Sequence, residues 1–106
     1  MKSSVNLLPK QKRQIAQLGE RLKLARLRRG LSAQLVAERA GISRQSLTRI
    51  EAGQANVIFA NLFQVMRVLG LGEDIDKLAA DDEMGQKLQD LSLKTPKRGP
   101  RRRKTE

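Results

Sequence analysis

The chain has 106 residues and contains no cysteine, histidine, tyrosine or tryptophan. Without cysteine there are no disulfides and no thiolate metal sites, and a reducing compartment is the natural home. With histidine missing as well, the usual zinc ligands, the commonest general base and the most reactive nucleophile are all absent, which argues against a metal, a cofactor or an enzyme. No apolar run approaches the roughly 20 residues that span a bilayer, and Met1 to Lys10 lacks a secretory core followed by small residues. The expectation is a soluble, cytoplasmic protein with no membrane partner and no small-molecule substrate. A chain this short suits one compact domain with extensions and a modest core.

What the chain has in quantity is positive charge: 22 Lys and Arg against 11 Asp and Glu, a formal net charge of +11. The charge is segregated. Residues 1–30 carry nine basic side chains against Glu20 alone, and residues 94–106 carry seven against Glu106. Residues 31–93 carry six basic and nine acidic side chains. Basic ends of this kind point to a polyanion, because neutralising phosphates releases their counterions. Charge alone does not separate DNA from RNA or from an anionic membrane.

Pro9 closes the start of the chain, glycines divide its middle, and Pro96, Gly99 and Pro100 break up its end. Between these stops apolar residues recur at helical spacing: Ile15, Leu18, Leu22 and Ala25; Val36, Ala37 and Ala40; Leu47 and Ile50; and Leu62, Val65, Met66 and Leu69. No segment alternates like a strand. Ser32 and Ser43 each precede a short helical pattern in the N-cap position, where a hydroxyl satisfies a free backbone N–H. A fifth helix is expected to begin near Asp74. The reading is an all-α bundle with an N-terminal extension over 1–12, a five-helix domain over 13–72, an acidic helical extension over 73–93, and a disordered basic tail over 94–106.

The stretch LSAQLVAERAGISRQSLTRIEAG, Leu31 to Gly53, resembles the helix-turn-helix of the Cro/CI type, also called XRE. Ala37 is small where two helices cross, Gly41 suits a positive φ after the first helix, and Ile42 plugs the core within the turn. Gly19, Leu22, Arg26 and Gly30 fall at recurrent positions of that family's first helix, so the resemblance extends from about Leu18 to Leu71. It implies a lambda repressor-like fold and sequence-specific binding of double-stranded DNA.

At about 100° per residue, Arg44, Gln45, Thr48 and Arg49 share one face of the third helix, and Leu47 and Ile50 share the opposite one. In similar proteins the first-turn positions contact base edges. The resemblance therefore implies that Arg44 and Gln45 read bases, arginine suiting guanine and glutamine adenine, with Ser43, Ser46 and Thr48 in support. Arg49 is expected on phosphate. The resemblance further implies a structural salt bridge between Arg26 and Glu51. Many relatives place a phosphate-donating glutamine where this chain has Ala33; Gln34 and Asn56 are the candidates to substitute. Leu24, Leu27 and Leu35 occupy positions usually polar in the family and suggest a second apolar surface, covered by the chain's own C-terminal helix or by another protein.

Residues 73–83 hold six acids against Lys77, followed by Leu88, Leu91 and Leu93. This order, ahead of a basic tail, is similar to the HipB-like antitoxins, which repress their own operon and bind a HipA-type kinase toxin. The resemblance implies a homodimer on a palindromic operator, since one module this small reads few base pairs. In the tail, Arg101, Arg102 and Arg103 are candidates for nonspecific phosphate contact. The alternatives are a phage-type or general repressor with no toxin partner, a protein whose main task is toxin neutralisation, and an RNA-binding module. The last is disfavoured because RNA readers offer aromatic platforms, and Phe59 and Phe63 sit where core is expected.

Overall fold

The computed structural model describes residues 5–93, and they divide into two units, one ending at Ile75 and one beginning at Asp76. The first unit holds α1 (Pro9–Arg28), α2 (Ala33–Ala40), α3 (Arg44–Glu51) and α4 (Phe59–Val68). A 3₁₀ segment, Gly72–Lys77, follows, and α5 (Glu83–Ser92) belongs to the second unit. There is no strand among the described residues.

Local chemistry sets the helix ends. Pro9 occupies the first turn of α1, where its missing N–H costs nothing and its fixed φ is already helical. The Leu8 N–H is satisfied by the Gln11 side chain at 2.9 Å. Helix α1 therefore begins at Pro9, where the loose start of the chain ends, and reaches back into residues expected to form an extension. Ser32 caps α2 by accepting from the Leu35 N–H at 3.1 Å. Gly41 ends that helix in the left-handed conformation, φ 73°, which a side chain would strain.

The core of the first unit lies among α1 to α4: Leu22 and Ala25 of α1, Val36, Ala37 and Ala40 of α2, Leu47 and Ile50 of α3, and Val65, Met66 and Leu69 at α4. Ile42, in the turn between α2 and α3, packs against it. Leu47, Val36 and Val65 are fully buried, and each contributes about 1.5–3 kcal/mol by leaving water. Arg67 ties α4 to the end of α2 by donating to the Arg39 carbonyl at 3.1 Å, one of the carbonyls that α2 cannot satisfy itself.

Two expectations are corrected. Phe59 and Phe63 are not core: they are 58% and 37% exposed, because Val65, Met66 and Leu69 occupy the centre of the buried arc of α4 and the phenylalanines fall on its rim. The fifth helix does not run from Asp74. The acidic stretch forms a 3₁₀ segment, Ala79 adopts φ 59°, incompatible with a right-handed helix, and α5 starts only at Glu83 behind its cap Asp82. Within its own unit α5 exposes Met84, Leu88 and Leu91, spaced to share one face, and buries none of its residues.

Candidate nucleic-acid interface

An isolated helix of eight residues is unstable in water, so α3 persists through its packing and its ends. Leu47 and Ile50 anchor one face in the core, at 0% and 4% exposure. Ser43 closes the start: its hydroxyl accepts from the Ser46 N–H at 3.0 Å and donates to the Ser46 hydroxyl at 2.9 Å. Two fixtures hold the far end. Arg26 of α1 grips Glu51 with two parallel bonds, Nε to Oε2 at 2.7 Å and Nη2 to Oε1 at 3.0 Å, and its Nη1 donates to the Leu31 carbonyl at 3.1 Å. Both side chains are 10% exposed. The hydrogen bond to Glu51 holds the Arg26 guanidinium above its ordinary pKa, against the opposing effect of burial.

The second fixture is a pair of glycines. At Gly19, in the middle of α1, a Cβ would stand 2.6 Å from the Ile50 carbonyl oxygen and 2.8 Å from that of Glu51. At Gly53, with φ 76°, a Cβ would stand 2.5 Å from the Ala16 Cα. The backbone of α1 and the end of α3 thus meet with no side chain between them.

The outward face of α3 presents Arg44, Gln45 and Thr48, all exposed. Arg44 and Thr48 border an open cleft of about 500 Å³ against Glu20 and Lys23 of α1. Hydrogen bonding divides the expected reading residues into two groups. The hydroxyls of Ser43 and Ser46 serve the cap, and Thr48 donates back to the Arg44 carbonyl at 3.1 Å. Arg44 and Gln45 have no side-chain hydrogen bond among the described residues, so their donors and acceptors face solvent uncommitted.

Of the expected phosphate contacts, Gln34 is exposed but bonded to Glu38 at 3.0 Å, and the Asn56 side chain is exposed on the loop after α3. Arg49 is drawn onto that loop, its Nε donating to Gln54 at 3.0 Å and its Nη2 to the Asn56 carbonyl at 2.7 Å. Periodicity alone misses this clamp, which joins α3 to residues 54–56. Arg101, Arg102 and Arg103 lie outside the described residues. Leu24 and Leu27 are exposed at 38% and 52%, and Leu35 is half-buried.

Two short helices with a tight glycine turn, the second held by its inner face and both ends and showing an uncommitted polar face, make a helix-turn-helix. Residues 17–78 match a family model described as a helix-turn-helix domain. The chain belongs to this family. The helix-turn-helix protein is accordingly a DNA-binding regulator, and its match spans α2, α3 and α4 in full. No curated protein matches the sequence. Membership, rather than burial of Phe59 and Phe63, is what favours DNA over RNA here.

Proposed function

We propose that the chain is a sequence-specific transcriptional repressor that reads a palindromic operator with α3, one copy on each half-site. The observation that carries this reading is the contrast within α3: Leu47 and Ile50 are buried and both ends are fastened, while Arg44 and Gln45 face solvent with no side-chain hydrogen bond among the described residues. A helix so constrained loses little further freedom on docking, and these two side chains have the donor and acceptor sets that pair with guanine and adenine edges in the major groove. Ser43, Ser46 and Thr48 shape that surface, while Arg49, Gln34 and Asn56 flank it toward the phosphates. Arg101, Arg102 and Arg103 add phosphate contacts without sequence preference.

Replacing Arg44 or Gln45 with alanine weakens binding to a duplex selected from a random pool far more than binding to random duplex, with thermal stability nearly unchanged. Equal weakening on both duplexes would show that neither residue reads bases.

A second reading extends the first: the repressor is a HipB-like antitoxin that also binds a HipA-type kinase toxin. The exposed Met84, Leu88 and Leu91 stripe of α5 favours a protein partner over DNA for the second unit. Co-purification with a kinase encoded beside it, abolished on replacing Leu88 and Leu91 with serine, tests this. Intact binding in that variant removes α5 from the contact.

A further inference from the structure

A second cleft, of about 280 Å³, lies between α1 and the C-terminal part of α4 with the segment that follows it. Its floor is apolar: Leu22, Ala25 and Met66 are buried, and Leu18 and Leu71 are half-buried. Its rim is charged. Arg21 and Arg28 of α1 and Arg29 at its C-cap border the cleft together with Asp74, so three guanidiniums face one carboxylate. All of these residues belong to the first unit. We propose that this cleft binds a small organic anion with an apolar body, its acid group on the arginines and its body on the floor.

Spacing along α1 builds the cleft. Leu18, Arg21, Leu22, Ala25 and Arg28 recur at three and four residues and so share one side of the helix. Arg21 and Arg28 stand two turns apart, about 10 Å along the axis, and the residue between them on that side is Ala25, whose methyl group leaves the floor open. Arg29 is turned back along the helix, its Nη1 donating to the Ala25 carbonyl at 2.9 Å. Arg21 and Arg28 are exposed and make no side-chain hydrogen bond among the described residues, so their donors are uncommitted. Cations gathered this closely repel one another. An anion among them relieves that repulsion and gains charge-assisted hydrogen bonds.

The lining selects the occupant. An inorganic anion makes no use of the floor, and a neutral apolar molecule makes no use of the arginines; sites that take small molecules combine an apolar lining with a few placed polar groups in this way. The volume falls near the lower end of the roughly 300–1,000 Å³ usual for such sites, and is too small for a helix about 10 Å across. At about 100° per residue, the cleft opens on the opposite side of α1 from Ala16, Glu20 and Lys23, which border the cleft beside Arg44. The anion therefore does not compete for the outward face of α3, and its binding does not rest on the DNA-reading role of that helix. Leu71 and Asp74 belong to the chain leaving α4, so an occupant fastens that segment to α1.

Octanoate serves as the probe, with octanol, the body without the charge, and propionate, the acid group with little body, as comparisons. Each is titrated against the protein without DNA and followed by amide NMR shifts. Octanoate is expected to give saturable shifts centred on Ala25, Arg29, Met66 and Leu71, and to bind more tightly than either comparison. Arg21→Gln with Arg28→Gln lowers its affinity by about tenfold or more, since hydrogen bonds to charged groups are the strong ones. Lys10→Gln with Arg13→Gln removes the same charge from α1 outside the cleft and leaves affinity unchanged. All four positions are exposed, and circular dichroism confirms that each variant is folded. No saturable binding, shifts centred elsewhere, equal losses in the two charge-matched variants, or octanol or propionate binding as tightly as octanoate overturns the proposal. Arg44→Ala is expected to bind octanoate like the parent protein; a loss there would put the anion beside α3 and also overturn it. Since no arm involves DNA, failure here is distinct from failure of the base-reading test on Arg44 and Gln45.

Discussion

Replacing Gly19 with alanine sets two effects of opposite sign against each other. Within a helix alanine is favoured over glycine by about 1 kcal/mol, so on propensity alone α1 gains. Against this, the added methyl group would stand 2.6 Å from the Ile50 oxygen, 2.8 Å from the Glu51 oxygen and 2.8 Å from the Gly53 nitrogen. All three are backbone atoms, and no side-chain rotation relieves them. Overpacking costs about 1–3 kcal/mol where neighbours can adjust, and the rigid surroundings here place the cost at the upper end. The net expectation is a loss of about 2 kcal/mol. For a domain of this size that lowers the melting temperature by roughly 8–16 °C, at about 4–8 °C per kcal/mol. Thermal unfolding followed by circular dichroism measures it, with Gln17→Ala, on an exposed turn of the same helix, as the control. A Gly19→Ala protein that melts at or above the wild-type temperature would refute the close crossing of α1 with the end of α3.

Three further expectations follow from the same geometry. Arg26→Ala strands the Glu51 carboxylate in a site only 10% exposed and costs about 3–5 kcal/mol by chemical denaturation, whereas the double change Arg26→Met with Glu51→Leu recovers most of that loss; a double variant no better than the single would show that the two residues do not act as a unit. Ser43→Ala removes the cap of α3 and costs about 1 kcal/mol, and Ser43→Asp restores stability while weakening DNA binding through repulsion from phosphate, so recovery of both together would contradict a position at the DNA surface. Deleting residues 95–106 removes Lys97, Arg98, Arg101, Arg102, Arg103 and Lys104, and flattens the plot of log affinity against log salt by about 0.9 for every phosphate no longer neutralised, equally on all duplexes; an unchanged slope assigns the tail to a protein partner.

The parts of this fold that are legible in the sequence are those written over three or four consecutive residues. Ser32 and Ser43 begin α2 and α3, and Gly41 ends α2, because capping and left-handed turns are local chemistry. Periodicity correctly places Leu47 and Ile50 inward and Arg44 and Gln45 outward. It locates the buried face of α4 but not its width, which depends on how closely neighbouring helices approach, so it sets Phe59 and Phe63 in the core when they are on the rim. The break between Lys77 and Glu83 is hidden because six acids and a leucine suit a helix start, while the positive φ at Ala79 leaves no mark in an alanine. The Arg49 clamp is out of reach for a similar reason: it joins residues five and seven positions apart across a loop, a spacing with no periodic signature. The Arg26 and Glu51 contact, 25 residues apart, comes only from resemblance.

The way α3 is held limits how much specificity one copy can supply. Its inner face belongs to the core, Ser43 and Ser46 to the cap, Thr48 to its own backbone, Arg49 to the following loop and Glu51 to Arg26. On the proposed reading, Arg44 and Gln45 are what is left over for the bases. A good paired contact discriminates by about 1–3 kcal/mol, so two of them give about 2–6 kcal/mol. Specific sites are typically favoured over nonspecific ones by about 4–10 kcal/mol, a range that one copy reaches only at its lower edge and two copies, at about 4–12 kcal/mol, cover. A regulator built on this helix therefore needs a second copy to be selective. A duplex carrying one half-site should be distinguished from random sequence only weakly, and a duplex carrying two, about one helical turn apart, strongly and cooperatively. Insertion of about five base pairs between the halves, roughly half a helical turn, moves the second site to the opposite side of the duplex, and on the two-copy argument this returns affinity to the single-site value. Full retention of selectivity on a lone half-site would show that residues beyond Arg44 and Gln45 carry the recognition.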